Sequence, residues 1–184
     1  MTTGQISGRD TFDNARPLAP IRAGTHYVSV VLKRYRPNVA AIIQRADGRV
    51  LVGQRSDYPE SWQFPQGGID EGESAEDALR REVLEEVGIA ADDYTIAARS
   101  GPHRYDFPFG QDRRGFSGQE QVYFLCRLHP VGGATFDPAA TCGEFRAVRW
   151  VEVVDFPVHL APPMKQEVYR EVLRRIFAPR EDSH

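Results

Sequence analysis

No apolar run in these 184 residues approaches the roughly 18 consecutive positions that a membrane-spanning helix needs. The opening stretch, MTTGQISGRDTFDNARPLAPIRAG, has no apolar core of the kind that marks a secretory leader. The expectation is a cytoplasmic protein without a membrane partner. Cysteine is scarce: Cys126 and Cys142 fit no zinc or dithiol spacing and read as buried, reduced thiols. The five histidines, His26, His103, His129, His159 and His184, form no ligand spacing, and none is assigned to catalysis. Basic residues are not in excess either. With 23 Lys and Arg against 26 Asp and Glu, the net charge is −3, so no broad cationic surface for a nucleic-acid body is expected, and no DNA partner.

The length suits one domain with a substantial core. Residues 1–24 are rich in polar residues, Gly and Pro, and are expected to form a flexible extension of a folded domain at 25–180. YVSVVL, NVAAIIQ and RVLVGQR predict strands, with the Asp-Gly of RADGR turning the second into the third. YTIAARS, QVYFLCRL and AVRWVEV predict later strands, and Met164 to Ile176 a terminal helix. This mixed order predicts an α/β or α+β fold with a mixed sheet.

What the sequence has in abundance is acid in one place. In FPQGGIDEGESAEDALRREVLEEVGI, Ser74 followed three residues later by Asp77 is a variant capping box, and Gly88 suits a left-handed helix end, so Ala75 to Val87 is predicted helical. At about 100° per residue, Leu79, Val83 and Val87 form a core-facing stripe. Glu76 with Arg80, Asp77 with Arg81, and Arg81 with Glu85 are ordinary four-apart pairs. Glu82 and Glu86 are also four apart, but with the same sign, and Glu85 lies beside them. Two explanations stand: a tolerated surface defect, or a cation between the carboxylates. Oxygen-only donors would select Mg²⁺ or Mn²⁺ over zinc. Pro65, Gln66, Gly67 and Gly68 predict a tight turn whose backbone amides can approach a polyphosphate.

The whole string resembles the Nudix hydrolase signature, G-x5-E-x7-R-E-U-x-E-E-x-G-U with U aliphatic. Gly67, Glu73, Arg81, Glu82, Val83, Glu85, Glu86, Gly88 and Ile89 fill every fixed position. The resemblance implies an α/β/α sandwich over roughly Arg34 to Phe177 with a loop-helix-loop metal site. It implies hydrolysis of a nucleoside diphosphate linked to a further moiety. Glu82, Glu85 and Glu86 would bind divalent metal or activate water, with Gly67 at the metal, Arg81 orienting the carboxylates, and Glu73 and Gly88 supporting them.

YRPNV, SWQFPQGGI, GQEQVYFL, GEFRAVRW and KQEVYREV are similar, in order and spacing, to the branch of bacterial RNA pyrophosphohydrolases and plant-type asymmetrical diadenosine tetraphosphate hydrolases. That resemblance implies that Glu144 completes the metal site. It implies that Arg36, Arg55 and Lys165 lie at phosphates, that Tyr105 stacks on a base, and that Gln66, Gln119 and Gln121 lie near substrate. Glu120 departs from the small or basic residue usual between the last two. The favoured expectation is conversion of RNA 5′-triphosphate to 5′-monophosphate. The alternatives are cleavage of diadenosine tetraphosphate to ATP and AMP, and a non-catalytic nucleotide-binding module, against which the intact carboxylate set argues.

Overall fold

The computed structural model describes residues 32–110, 112, 114–130 and 141–178. The extension at 1–24, both ends of the expected 25–180 domain and all but the last residue of YVSVVL lie outside these.

Strand β1 (Tyr35–Gln44) is apolar at successive positions rather than at alternate ones, the pattern of a strand covered on both faces. Val39, Ala41 and Ile43 pack with Ala78, Leu79, Val83 and Val87 of helix α1 (Ala75–Val87). Ala40 and Ile42, pointing the other way, pack with Tyr169, Val172 and Leu173 of helix α2 (Gln166–Phe177). The result is the expected α/β/α sandwich.

The remaining strands are β2 (Val50–Arg55), β3 (Trp62–Gln63), β4 (Gln66–Gly68), β5 (Tyr94–Asp106), β6 (Gly118–Leu128) and β7 (Phe145–Val151). They form one sheet in the order β3-β2-β1-β6-β5, with β4 also on β1 and β7 on β2. Among the described strands only β1 and β6 run parallel, so the sheet is mixed. The other edge of β1 is divided. β2 meets it at Gln44–Val50 next to the Asp-Gly turn, while β4 pairs with Asn38 to Ala40. This corrects the reading of Gln66 to Gly68 as a turn: the segment is a short strand, and its two faces look to the two helix layers.

Helix α1 keeps its predicted ends. Ser74 Oγ accepts from the Asp77 N–H at 3.1 Å, an interaction whose loss costs about 1 kcal/mol. Gly88 takes φ 71°, and its N–H donates to the Leu84 carbonyl. At the other end of the chain, the expected helix from Met164 begins instead at Gln166, after a 3-10 turn at Pro163–Lys165. Tyr169 anchors it by packing on Phe64, Phe156 and Tyr123 at ring separations of 5.0 to 6.0 Å. This clamp draws Lys165 inward against β4. Cys126 is buried as expected; Cys142 is exposed, correcting its reading as a core thiol, because it follows the last strand pair on the loop into β7.

Candidate active site

β4 organises the site because a glycine at its centre leaves room for a carboxylate. Gly67 has no side chain on the α1 face, and the Glu82 carboxylate fills that space. Arg81 then binds on three sides. Its Nε and Nη2 donate to Glu73 at 2.9 and 2.8 Å, its Nη1 to Glu82 at 2.6 Å, and its Nη2 also to the Gly68 carbonyl at 2.9 Å. Glu85 stands farther off, 3.7 Å from Arg81 Nη1, with half of its side chain exposed. The predicted Arg81–Glu85 pair is therefore the loosest of Arg81's contacts. The predicted Asp77–Arg81 pair is replaced by Asp77–Arg80, because Glu73 reaches back from the loop to claim Arg81.

Glu86 is 5% exposed and accepts from the Gln66 N–H at 2.9 Å. Burial pushes its carboxyl well above the usual range, and the neighbouring charges of Glu144 and Glu82 push the same way. Burial also raises Glu82, against the pull of Arg81. Glu73 is the opposite case: the Arg81 fork holds it down to about 2. Two carboxylates so disposed, beside a third, gain from an added positive charge.

By donor type the set fits a hard divalent cation. Glu82, Glu85 and Glu86, with the Gly67 carbonyl and Glu144, offer oxygen alone. As the side chains stand, no three His, Cys, Asp or Glu groups among the described residues converge on one point. Arg81 draws Glu82 and Glu85 to itself, and Gln66 holds Glu86. A cation there would compete with Arg81 for Glu82 and Glu85.

The other face of β4 is basic and amide-rich. Lys165 is 5% exposed, and its Nζ donates to Gln66 Oε1 at 2.6 Å and to Gln63 Oε1 at 3.4 Å. Burial, with Arg55 nearby, lowers its ammonium to about 7. Arg36 lies against Gly68, where a Cβ would come within 2.1 Å of its Nη2. In the sheet register Arg36, Gln119 and Tyr105 stand side by side. Tyr105 is buried, its hydroxyl donating to Gln119 and its ring facing Lys165 at 5.6 Å, so it offers no open face to a base. Its expected stacking role is corrected accordingly. Arg55 differs from expectation too: Nε and Nη2 are committed to Asp57 at 2.8 and 2.6 Å, and Nη1 lies 3.3 Å from Glu144. With each of its three nitrogens engaged by a carboxylate, it is a bridge between Glu144 and a neighbouring cavity rather than a free phosphate clamp.

That cavity, about 850 Å³, is mainly apolar and lies between the segments around Tyr58, Phe109 and Pro162. Phe109, at 98% exposure, and Tyr58 line it. Neither had been singled out from the sequence. Gln63, fully buried between Lys165 and Glu144, Nε2 donating to the latter at 3.5 Å, was missed as well. A glutamine between Trp62 and Phe64 was the available signal.

A family profile described as the NUDIX domain matches residues 34–176. The chain is 40% identical over 148 residues to a Helicobacter pylori protein named RNA pyrophosphohydrolase, covering 77% of this chain and 92% of that protein. A Sphingopyxis alaskensis protein of the same name is 42% identical over 151 residues, 79% of this chain and 94% of that one. Among solved structures, the E. coli dihydroneopterin triphosphate pyrophosphohydrolase superposes with a TM-score of 0.58 at 25% identity, over 78% of this chain and 97% of that one. A C. elegans Ap4A hydrolase binary complex gives 0.57 at 22% identity, over 74% and 93%, a likeness of fold. With its carboxylate helix, glycine cradle and sandwich in place, the chain belongs to the Nudix family.

Proposed function

We propose that the chain is a metal-dependent pyrophosphohydrolase that converts the 5′-triphosphate end of an RNA to a 5′-monophosphate. The observation that carries this reading is the position of Gln66. Its backbone N–H donates to Glu86 while its side-chain oxygen accepts from Lys165, so one residue joins the cation-binding carboxylates to the phosphate-binding cations. The relatives of about 40% identity named RNA pyrophosphohydrolase support the same substrate.

In this reading Glu82, Glu86 and Glu144, with the Gly67 carbonyl, would hold Mg²⁺ or Mn²⁺, which when bound would screen the anhydride oxygens and lower the pKa of the attacking water. Arg36 and Lys165 hold the phosphate chain, and Gln66 and Gln119 add neutral donors. Glu85, the carboxylate with the loosest tether, takes the proton as the water oxygen attacks phosphorus. The phosphorus-to-bridging-oxygen bond breaks, and pyrophosphate or phosphate leaves. Arg55 presents the flat guanidinium beside Tyr58 as one wall of the apolar cavity, which takes a nucleobase. The reading places the activity in the cytoplasm and in residues 25–180.

Diadenosine tetraphosphate is the second reading, favoured by the two exposed aromatic rings of that cavity, which suit an adenine. Rates with Mg²⁺ or Mn²⁺ on a short 5′-triphosphate RNA and on diadenosine tetraphosphate, each at limiting concentration, decide between them. A much larger kcat/KM for RNA is expected. A much larger value for the dinucleotide selects the second reading, and turnover of neither removes both.

A further inference from the structure

Behind Gln66, on the side away from the carboxylates, lies a chain of buried polar groups that touches neither the acidic cluster nor the apolar cavity. Gln121 is 0% exposed. Its Nε2 donates to Asn38 Oδ1 at 2.5 Å and to Gln66 Oε1 at 3.0 Å, and its Oε1 accepts from the Tyr123 hydroxyl at 2.6 Å. Tyr123 is likewise fully buried.

The direction of this chain is fixed at its far end. While Lys165 is protonated, the state that holds a phosphate, its ammonium only donates, so the atom of Gln66 that meets it is the oxygen. The same oxygen accepts from Gln121, which therefore presents its NH₂ to Gln66 and its carbonyl to Tyr123. The Tyr123 hydroxyl donates to that carbonyl and closes the sequence. Every link runs the same way, from Tyr123 through Gln121 to Gln66. With its oxygen taken twice, Gln66 is left with an Nε2 that has no hydrogen-bond partner among the described residues. A carboxamide held in this way has a donor, not an acceptor, left to offer a ligand. For a phosphate oxygen that is the required sign. A flipped Gln66 would set its carbonyl against the anion and its NH₂ against the ammonium.

We propose that Tyr123 and Gln121 are positioning residues that lock the Gln66 carboxamide with its N–H groups towards a substrate phosphate. They reach the substrate only through Gln66, and the inference rests on Gln66 being a substrate contact. Because the lock is fully buried at Gln121 and Tyr123, losing one link is felt through the rest of the chain.

The test is a double-mutant cycle on binding, with turnover measured beside it. The probe is a nucleoside 5′-triphosphate with a β,γ-imido bridge, titrated by calorimetry with Mg²⁺, and kcat is measured at saturating 5′-triphosphate RNA. Tyr123→Phe removes one hydroxyl and is expected to weaken Kd about fivefold while kcat stays within about twofold. Gln66→Ala is expected to weaken Kd about tenfold. The double variant should bind no more weakly than Gln66→Ala alone, because Tyr123 then has nothing left to orient. Gln121→Glu, which sets a carboxylate against the oxygens of Asn38 and Gln66, should weaken Kd more than Tyr123→Phe does. A merely structural Tyr123 would lower kcat through the folded fraction and leave Kd unchanged, and that result overturns the proposal. Weakening that multiplies in the double variant overturns it as well. If the cycle holds but the wild-type protein turns over neither candidate substrate, the lock stands and the proposed function falls.

Discussion

A Cβ built on Gly67 would stand 1.8 Å from the Cδ of Glu82, so the helix carboxylate occupies the space that any side chain at position 67 would need. Glu82 can move aside only by giving up its contact with Arg81, which holds its Oε1 at 2.6 Å. Gly67→Ala should therefore displace the carboxylate and shift β4. Overpacking of this kind costs about 1–3 kcal/mol of stability, which a folded domain survives. A displacement near 1 Å at a catalytic centre costs on the order of a hundredfold in rate. Loss of kcat/KM by about that factor, with an unchanged near-ultraviolet circular dichroism spectrum, is expected; a variant of wild-type activity would show that Glu82 need not lie there.

Glu85 shares one helical turn with Glu82 and Glu86 but is neither buried nor tightly paired. Little stability rests on its side chain. Glu85→Gln should lower kcat by about 10²- to 10⁴-fold if it takes the proton from water, with the melting temperature almost unchanged. An unaffected rate would shift the base to Glu144, for which Glu144→Gln is the matching assay.

The features legible in the sequence were those set by local spacing. Ser74, Gly88 and the stripe Leu79, Val83, Val87 lie within one helix, where period and capping chemistry fix the outcome. Gly67 and the glutamates had a register that a resemblance could carry. The basic half of the site was recognised residue by residue, but not its wiring. Lys165, Gln66, Gln121 and Gln63 come from separate strands and the turn before α2, and no spacing along the chain places one amide against another. Tyr105 was read as a base platform because an aromatic residue near a site looks the same in sequence whether its face is open or packed. The length of β5 and its pairing with β6 decide that it is packed. Arg55 was placed at a phosphate by resemblance, and its match to a basic position carries no sign that Asp57, two residues on, takes two of the arginine's donors.

The Arg81 fork predicts an acid response. Glu73 titrates at about 2 in the folded chain, below its ordinary 4.5, since the guanidinium and the Asp70 N–H both favour its charged form. A depressed carboxyl contributes stability that is complete above its unfolded pKa and lost as pH falls from 4.5 through 2. Urea unfolding at about pH 5 and about pH 3 should show wild-type stability falling between the two, with a smaller fall for Glu73→Gln. Equal slopes would mean that the Arg81–Glu73 pair is not formed in solution.

Lys165 should make phosphate binding depend on pH near neutrality. Its folded pKa, about 7, lies below the ordinary 10.5 because burial disfavours the ammonium, and Arg55 adds to that. Between these values the folded chain binds fewer protons than the unfolded one, so stability rises with pH across the window, and the penalty for the buried charge is complete below it. Phosphate favours the charged form, so above about pH 7 a triphosphate can bind strongly only if Lys165 takes up a proton. Affinity for the imido-bridged nucleotide should fall by about tenfold from about pH 6.5 to about pH 8.5, with proton uptake visible by calorimetry in buffers of different ionisation enthalpy. Lys165→Met should bind more weakly at the lower pH and lose most of the pH dependence. It should also lack the wild-type rise in stability between about pH 7 and about pH 9, since the variant has no ammonium to discharge. A wild-type affinity flat over this range, or a Lys165→Met variant with the same slope, would show that Lys165 keeps an ordinary ammonium and that the buried position does not govern its charge.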